Sequence, residues 1–236
     1  MIRAVAESRM YDFSSFVTLT CSDQALPDVF PGGVLNHRSF QLFAKRLRKK
    51  IGKFRYLMCG EYGENTSRPH YHVVIFGHKF TDGFYRNGCW MCSKILYDAW
   101  PHGHICCDDV CNERIAYVAG YQLKSNQAVQ GIPSYVKWSR RPGLGYPWLK
   151  RYWRDLIRKE DSFTFILDGR MVNISCRYFF EKLACFSPSD YDKLKSQRAD
   201  SMSNLDELTH IMRHDQVVRH AAVLKHKQKQ RKVNRL

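Results

Sequence analysis

The chain has 236 residues, 44% of them hydrophobic and 25% charged, a balance that excludes a wholly disordered or fibrous protein and suits one large domain, or one domain with a smaller appendage. Lys and Arg number 38 against 22 Asp and Glu, a formal charge of +16, which favours a polyanionic partner, nucleic acid first and an acidic membrane surface second. The sequence has no apolar run of about eighteen residues and no apolar stretch at its N-terminus, so a soluble protein retained in the cytoplasm, without a membrane partner, is expected.

In chain order, Phe16 to Cys21 (FVTLTC) interleaves apolar and β-branched residues with threonine and reads as a strand, followed by a Pro/Gly-rich loop around Pro27 to Gly33. From Arg38 to Lys53, Phe40, Phe43, Leu47 and Ile51 recur at three- and four-residue steps and mark one face of an amphipathic helix. Its other face carries Lys45, Arg46, Arg48, Lys49 and Lys50 with no acid among them. Such a face is either merely solvated or turned toward phosphate, and the self-repulsion of uncompensated cations favours phosphate. Phe54 to Tyr62 and His70 to Gly77 read as an antiparallel pair joined by the polar segment GENTSRP. Ser93 to Trp100 is a short helix ended by Pro101, and Glu113 to Lys124 is a helix in spite of Gly120. After Lys124 the pattern turns irregular. Ser162 to Ser175 reads as a hairpin turning at Asp168-Gly169, and beyond Pro188 the chain is polar and helical, ending in a basic tract from Lys225 to Arg235.

The nine cysteines are an odd number without the density of a disulfide scaffold, so reduced thiols are expected. Cys89 and Cys92 have zinc-knuckle spacing, with Cys106, Cys107 and Cys111 downstream and His102 and His104 nearby. The adjacent Cys-Cys is an unusual second knuckle, which leaves a zinc-containing, non-catalytic nucleic-acid-binding protein as an alternative reading.

The peptide His70-Tyr71-His72 is the most informative. In a strand the two imidazoles share a face while Tyr71 points away, and two imidazoles on one face suit a divalent metal. Glu61, nine residues earlier on the preceding strand, falls opposite His70 or His72 and is placed to complete a mixed nitrogen and oxygen site. Three protein ligands with open positions is a catalytic arrangement. Tyr117 and Tyr121, one helical turn apart, put both phenols on one face, with Lys124 beside Tyr121. They read either as an aromatic core pair or, beside a metal, as nucleophiles toward a phosphodiester.

FVTLT, GEYG with RPHYHVVIFG, and YVAGYQLK, in that order, resemble the three motifs of HUH endonucleases. The stretch from about Phe16 to Trp153, including SRRPGLGYPWLKRY, is similar to the replication initiators of microviruses, small single-stranded DNA phages, particularly the gokushovirus branch. The resemblance implies an α+β fold with a central antiparallel sheet and packed helices in a ferredoxin-like arrangement, over residues 1–160. Residues 161–236 are then a hairpin with a basic helical extension, and the family assigns no function to the part beyond Lys159. It further implies that Glu61, His70 and His72 hold Mg²⁺ or Mn²⁺, that Tyr117 and Tyr121 are nucleophiles, and that Lys124 is an electrostatic helper; Ser125 stands where a second lysine often follows. The implied activity is site-specific nicking and joining of single-stranded DNA at a replication origin, through a 5′-phosphotyrosine, in the bacterial host's cytoplasm beside its helicase and polymerase. An HUH transposase or plasmid initiator shares this chemistry. The expected DNA contacts are the cations of the first long helix together with Arg68, Arg140 and Arg141.

Overall fold

The computed structural model describes the backbone of residues 1–86, 89–91, 93–121, 128–157, 163–167, 170–174 and 177–203, and side chains within 1–83, 93–121, 128–154 and 177–196. The elements are α1 (Ile2–Ser8), β1 (Ser14–Leu19), α2 (Leu26–Val29), α3 (His37–Ile51), β2 (Arg55–Tyr62), β3 (Pro69–Phe76), β4 (Phe84–Arg86), β5 (Cys89–Met91), α4 (Lys94–Ala99), β6 (Ile105–Asp109), α5 (Asn112–Gly120), β7 (Ala128–Val129), β8 (Ile132–Pro133), β9 (Tyr135–Trp138), α6 (Tyr146–Ile157), β10 (Phe163–Leu167), β11 (Arg170–Ile174), α7 (Arg177–Phe186) and α8 (Pro188–Ser203). Seven strands form one sheet in the order β4-β5-β6-β1-β3-β2-β9, and every neighbouring pair is antiparallel. The protein is therefore α+β, with helices on both faces of a central antiparallel sheet.

The period of two in β3 explains how the faces divide. Tyr71, Val73 and Ile75 point into a core shared with Phe40, Phe43 and Leu47 of α3 and with Leu96 and Trp100 of the α4 region. Val74 and Phe76 point the other way, into a core built from Ala4 and Val5 of α1, Ile115 and Val118 of α5, Leu149 of α6 and Phe179 of α7. His70 and His72 have the parity of Val74, so they face α5 and not α3. Burying each large side chain of α3 contributes roughly 1.5–3 kcal/mol. The helix starts where the Asn36 side chain accepts the Arg38 N–H, and it stops at Gly52, whose φ of +79° is costly for a residue with a Cβ.

Several of these elements were not expected from the sequence: α1, β6, β9, α6 and α7. The stretch after Lys124 is less irregular than its composition suggests. Helix α6 seats Trp148 and Leu149 in the core with Tyr152 and Trp153 packed beside them, an i, i+1, i+4, i+5 stripe. Helices α7 and α8 place Phe179, Phe180 and Leu194 in that same core, so residues on both sides of position 160 share it. The hairpin expected over Ser162 to Ser175 is present as β10 paired with β11, while Asp168-Gly169 and the tract from Lys225 to Arg235 lie outside the described residues. No helix among the described residues is long and apolar enough to cross a membrane.

One buried ion pair ties the N-terminal helix to the sheet. Glu7, fully buried, accepts from Arg55 Nε and Nη2 on β2, from the Tyr11 hydroxyl and from the Gly145 N–H at the entry to α6. Replacing Glu7 by Ala strands Arg55 and the Gly145 N–H, an expected loss of about 3–5 kcal/mol. A urea-unfolding midpoint unchanged by Glu7→Ala would show that the clasp contributes nothing.

Candidate metal and tyrosine site

Register brings the expected ligands together. Glu61 on β2 is the direct cross-strand partner of His70 on β3, and Cys59 is that of His72, so all three side chains stand on the α5 face. Glu61 Oε1 lies 2.7 Å from His70 Nε2 and 2.9 Å from His72 Nε2. One ligand atom from each residue lies within 4.8 Å of the others, and this is the one group of such residues found among the described residues.

The other nitrogen of each ring is also engaged. His70 Nδ1 is 3.0 Å from the Arg68 carbonyl oxygen, which only accepts, so Nδ1 carries a proton. His72 Nδ1 is 2.9 Å from the Thr18 hydroxyl, its cross-strand neighbour on β1, and the His72 ring stacks on Phe16 at 5.4 Å. Such partners orient ligand rings and fix their tautomers. Sequence reasoning assigned no site role to any single residue of FVTLT; the available signal was parity, since Thr18 and Phe16 alternate with the core residues Val17 and Leu19.

The tyrosines meet the same carboxylate from α5. Tyr117 donates to Glu61 Oε1 at 2.9 Å, and the Tyr117 and Tyr121 oxygens are 2.9 Å apart. Because the Tyr117 proton is committed to an acceptor-only carboxylate, Tyr121 is the donor in that second bond. Exposure separates the two: Tyr117 is 41% exposed, whereas Tyr121 is 5% exposed and belongs to the core. The two readings of the pair therefore divide between its members. Helix α5 is described as far as Gly120 and Tyr121; Lys124 and Ser125 lie outside the described residues.

Burial alone would raise the Glu61 carboxyl, but hydrogen bonds from His70 and His72, with a contribution from the neighbouring Tyr121 hydroxyl, hold it well below the usual carboxylate range. Burial alone would lower His70, yet its bond to Glu61 and then the Arg68 carbonyl raise it above its ordinary value. Tyr117 is pushed up to about 12, first by burial, with the Tyr121 hydrogen bond opposing and the Glu61 charge reinforcing. Tyr121 is raised further by burial and by its bonds to Glu61 and Tyr117.

The donor set is compatible with a divalent cation. Two imidazole nitrogens and a carboxylate converge, and Glu61 Oε2 is buried and accepts no hydrogen bond, a cost that a cation would relieve. Without metal, protonated His70 supplies the positive charge; metal binding at Nε2 must expel that proton. Affinity is therefore expected to fall about tenfold per pH unit below the raised His70 value, the fall beginning above pH 6.5, its ordinary value. Thr18→Val should weaken binding about 10- to 100-fold by freeing the His72 ring. Calorimetric Mn²⁺ titrations at several pH values check both; a pH-independent affinity, or a Thr18→Val titration equal to wild type, would remove these roles.

The expected cations are distributed differently. Lys45, Arg46, Arg48, Lys49 and Lys50 ride on α3, across the sheet from the tyrosines. Lys50 pairs with Asp98 of α4 at 2.9 Å, so that face is not uncompensated, and Arg46 bonds to the Ala99 carbonyl and His102. Arg68 is held by Asp23 and the Cys21 carbonyl, while Arg140 and Arg141 stand in the loop after β9. For the zinc alternative, Cys106 and Cys107 are successive residues of β6 and point to opposite faces, so they do not serve one ion together. The side chains of Cys89 and Cys92 lie outside the described residues.

Comparison with known proteins places this geometry in context. A family model for replication-associated proteins of the ORF2 type matches residues 14–126, which contain β1, the triad and both tyrosines. The replication-associated protein VP4 of Bdellovibrio phage phiMH2K is 31% identical over 232 residues, covering 88% of this chain and 71% of its own. The replication-associated protein ORF4 of Chlamydia phage 1 is 27% identical over 202 residues, 77% of this chain and 49% of its own. The replication-associated protein ORF2 of Spiroplasma virus 4 is 27% identical over 190 residues, 71% of this chain and 56% of its own. The chain thus spans about half the length of the latter two. No solved structure matches it.

Proposed function

This chain belongs to the family of phage replication-associated proteins, and on that premise we propose that it is a replication initiator that nicks and rejoins single-stranded phage DNA at an origin through a tyrosine nucleophile. The observation that carries the reading is the Tyr117 hydroxyl, half exposed on α5, 2.9 Å from a carboxylate flanked by two imidazole nitrogens.

Glu61, His70 and His72 would hold Mg²⁺ or Mn²⁺, which supplies charge neutralisation at a scissile phosphate. The protein's own groups do the rest. Tyr117 presents its oxygen to solvent, and the Tyr121 hydroxyl donates to that oxygen, an interaction that strengthens as the phenol becomes phenolate. Tyr117 is accordingly the first nucleophile and Tyr121 its positioning partner in the first cut. The Tyr117 oxygen bonds to phosphorus as the bond from phosphorus to the 3′ oxygen breaks. The phenolic proton, shared with Glu61 beforehand, passes to solvent, and the leaving 3′ oxygen takes one up. One phosphate ester replaces another, so no ATP is consumed, and the free 3′-OH is available to a host polymerase. After a round of synthesis Tyr121, relieved of its role, cuts the regenerated origin while Tyr117 still carries the 5′ end. The reaction takes place in the host cell, and Lys124, three residues beyond Tyr121, is placed in sequence to add positive charge.

Incubation with single-stranded oligonucleotides carrying the phage origin, with and without Mn²⁺, followed by a denaturing gel, tests the proposal. A metal-dependent band of slowed mobility is expected; its absence under every metal condition contradicts the reading.

A further inference from the structure

The largest basic feature is not beside the tyrosines. Where β2 and β9 begin and end at the far margin of the sheet, a trough of about 1050 Å³ is lined by Arg48, Lys53, Arg55, Lys137, Arg140 and Arg141, and by no acidic side chain. Arg55 is matched by Glu7; none of the other five cations forms an ion pair with an acid among the described residues. Aromatic rings are interleaved with them: Phe54, Tyr56 and Trp138 line the same walls. A second hollow of about 700 Å³ continues the trough past Trp138 and Arg141, adding Arg3, Tyr146, Tyr178 and Lys182. Arg55 is six residues before Glu61 along β2, which at about 3.3 Å per residue puts the trough roughly 20 Å from the metal ligands.

We propose that this trough is a second nucleic-acid site, one that holds a single-stranded stretch of DNA away from the reacting phosphate. The cations of its rim, Lys53, Arg140 and Arg141, are exposed and track a phosphate backbone, while the rings give unpaired bases a surface to stack on. The local field agrees: burial and then the Lys137 and Arg140 charges keep His37, in the trough wall, below its ordinary value. A duplex hides its base faces and gains nothing from the rings, so the combination selects single strands. The site rests on the reading of the protein as DNA-acting, and it separates in space the strand being cut from a strand being held.

The test is binding in chelator, where no cleavage occurs, of a labelled oligothymidylate of about 20 nucleotides, an abasic strand of equal length and charge, and a duplex. Lys53→Gln/Arg140→Gln/Arg141→Gln is expected to weaken oligothymidylate binding roughly tenfold or more and to reduce the slope of log affinity against log salt by about 2. The abasic strand and the duplex should bind the wild-type protein more weakly than oligothymidylate. Wild-type affinity and slope in the triple variant would overturn the site. Equal affinity for the abasic strand would overturn the single-strand assignment. Since neither readout involves the tyrosines, failure here leaves the covalent-adduct assay untouched, and failure of that assay leaves this one interpretable.

Discussion

Tyr117→Phe combined with Tyr121→Phe is expected to yield no covalent protein–DNA adduct on any single-stranded oligonucleotide, while the single variants are unequal. Tyr117→Phe removes the exposed oxygen that lies against the Glu61 carboxylate and leaves Tyr121, 5% exposed and without its hydroxyl partner, to react slowly. Tyr121→Phe keeps the nucleophile but removes the hydrogen bond that stabilises its anion, worth about 1.5–3 kcal/mol to a charged acceptor, or a first cut roughly 10- to 100-fold slower. In the wild type the rate should climb with pH, because Tyr117 at about 12 is almost wholly protonated near neutrality. Single-turnover gels over a pH series measure all of this. Equal rates for the two single variants would remove the assigned order of attack.

Loss of either imidazole should be nearly as severe. His70→Ala or His72→Ala is expected to slow cleavage by about 10²–10³-fold, the scale of losing one electrostatic contact to a charged transition state. Neither ring lies in the hydrophobic core, their side chains being 18% and 13% exposed, so circular dichroism should be unchanged. Glu61→Gln should be milder in metal affinity, because an amide oxygen remains while the charge is lost. Cleavage at the wild-type rate by the double variant His70→Ala/His72→Ala would sink the metal role altogether.

The site was more legible in the sequence than the fold around it, for a physical reason. Alternation along a strand puts His70 and His72 on one face whatever the tertiary structure, and the loop length fixes which residue of β2 meets them. Helical spacing does the same for Tyr117 and Tyr121. What spacing could not show is that Tyr121 is buried and Tyr117 is not, because that depends on Leu149 and Phe179 packing from α6 and α7 against the same core. Edge strand β9 and helix α6 were hidden by the prolines and glycines of SRRPGLGYPW, which belong to the turn between them. Strand β6 was masked by its cysteines, which read as candidate ligands before they read as an alternating pair. The α3 cations illustrate a further limit: sequence counts charges on a helix, but only the fold shows that Asp98 answers Lys50 and that α3 lies across the sheet from the tyrosines.

The most direct measurement is peptide mapping of the adduct formed with a single-stranded origin oligonucleotide and Mn²⁺. The account predicts nucleotide mass on the peptide containing Tyr117 in the first turnover, with Tyr121 modified only when Tyr117 is replaced or already esterified. DNA attached to any other residue, or strand cleavage with no attached residue, would contradict it.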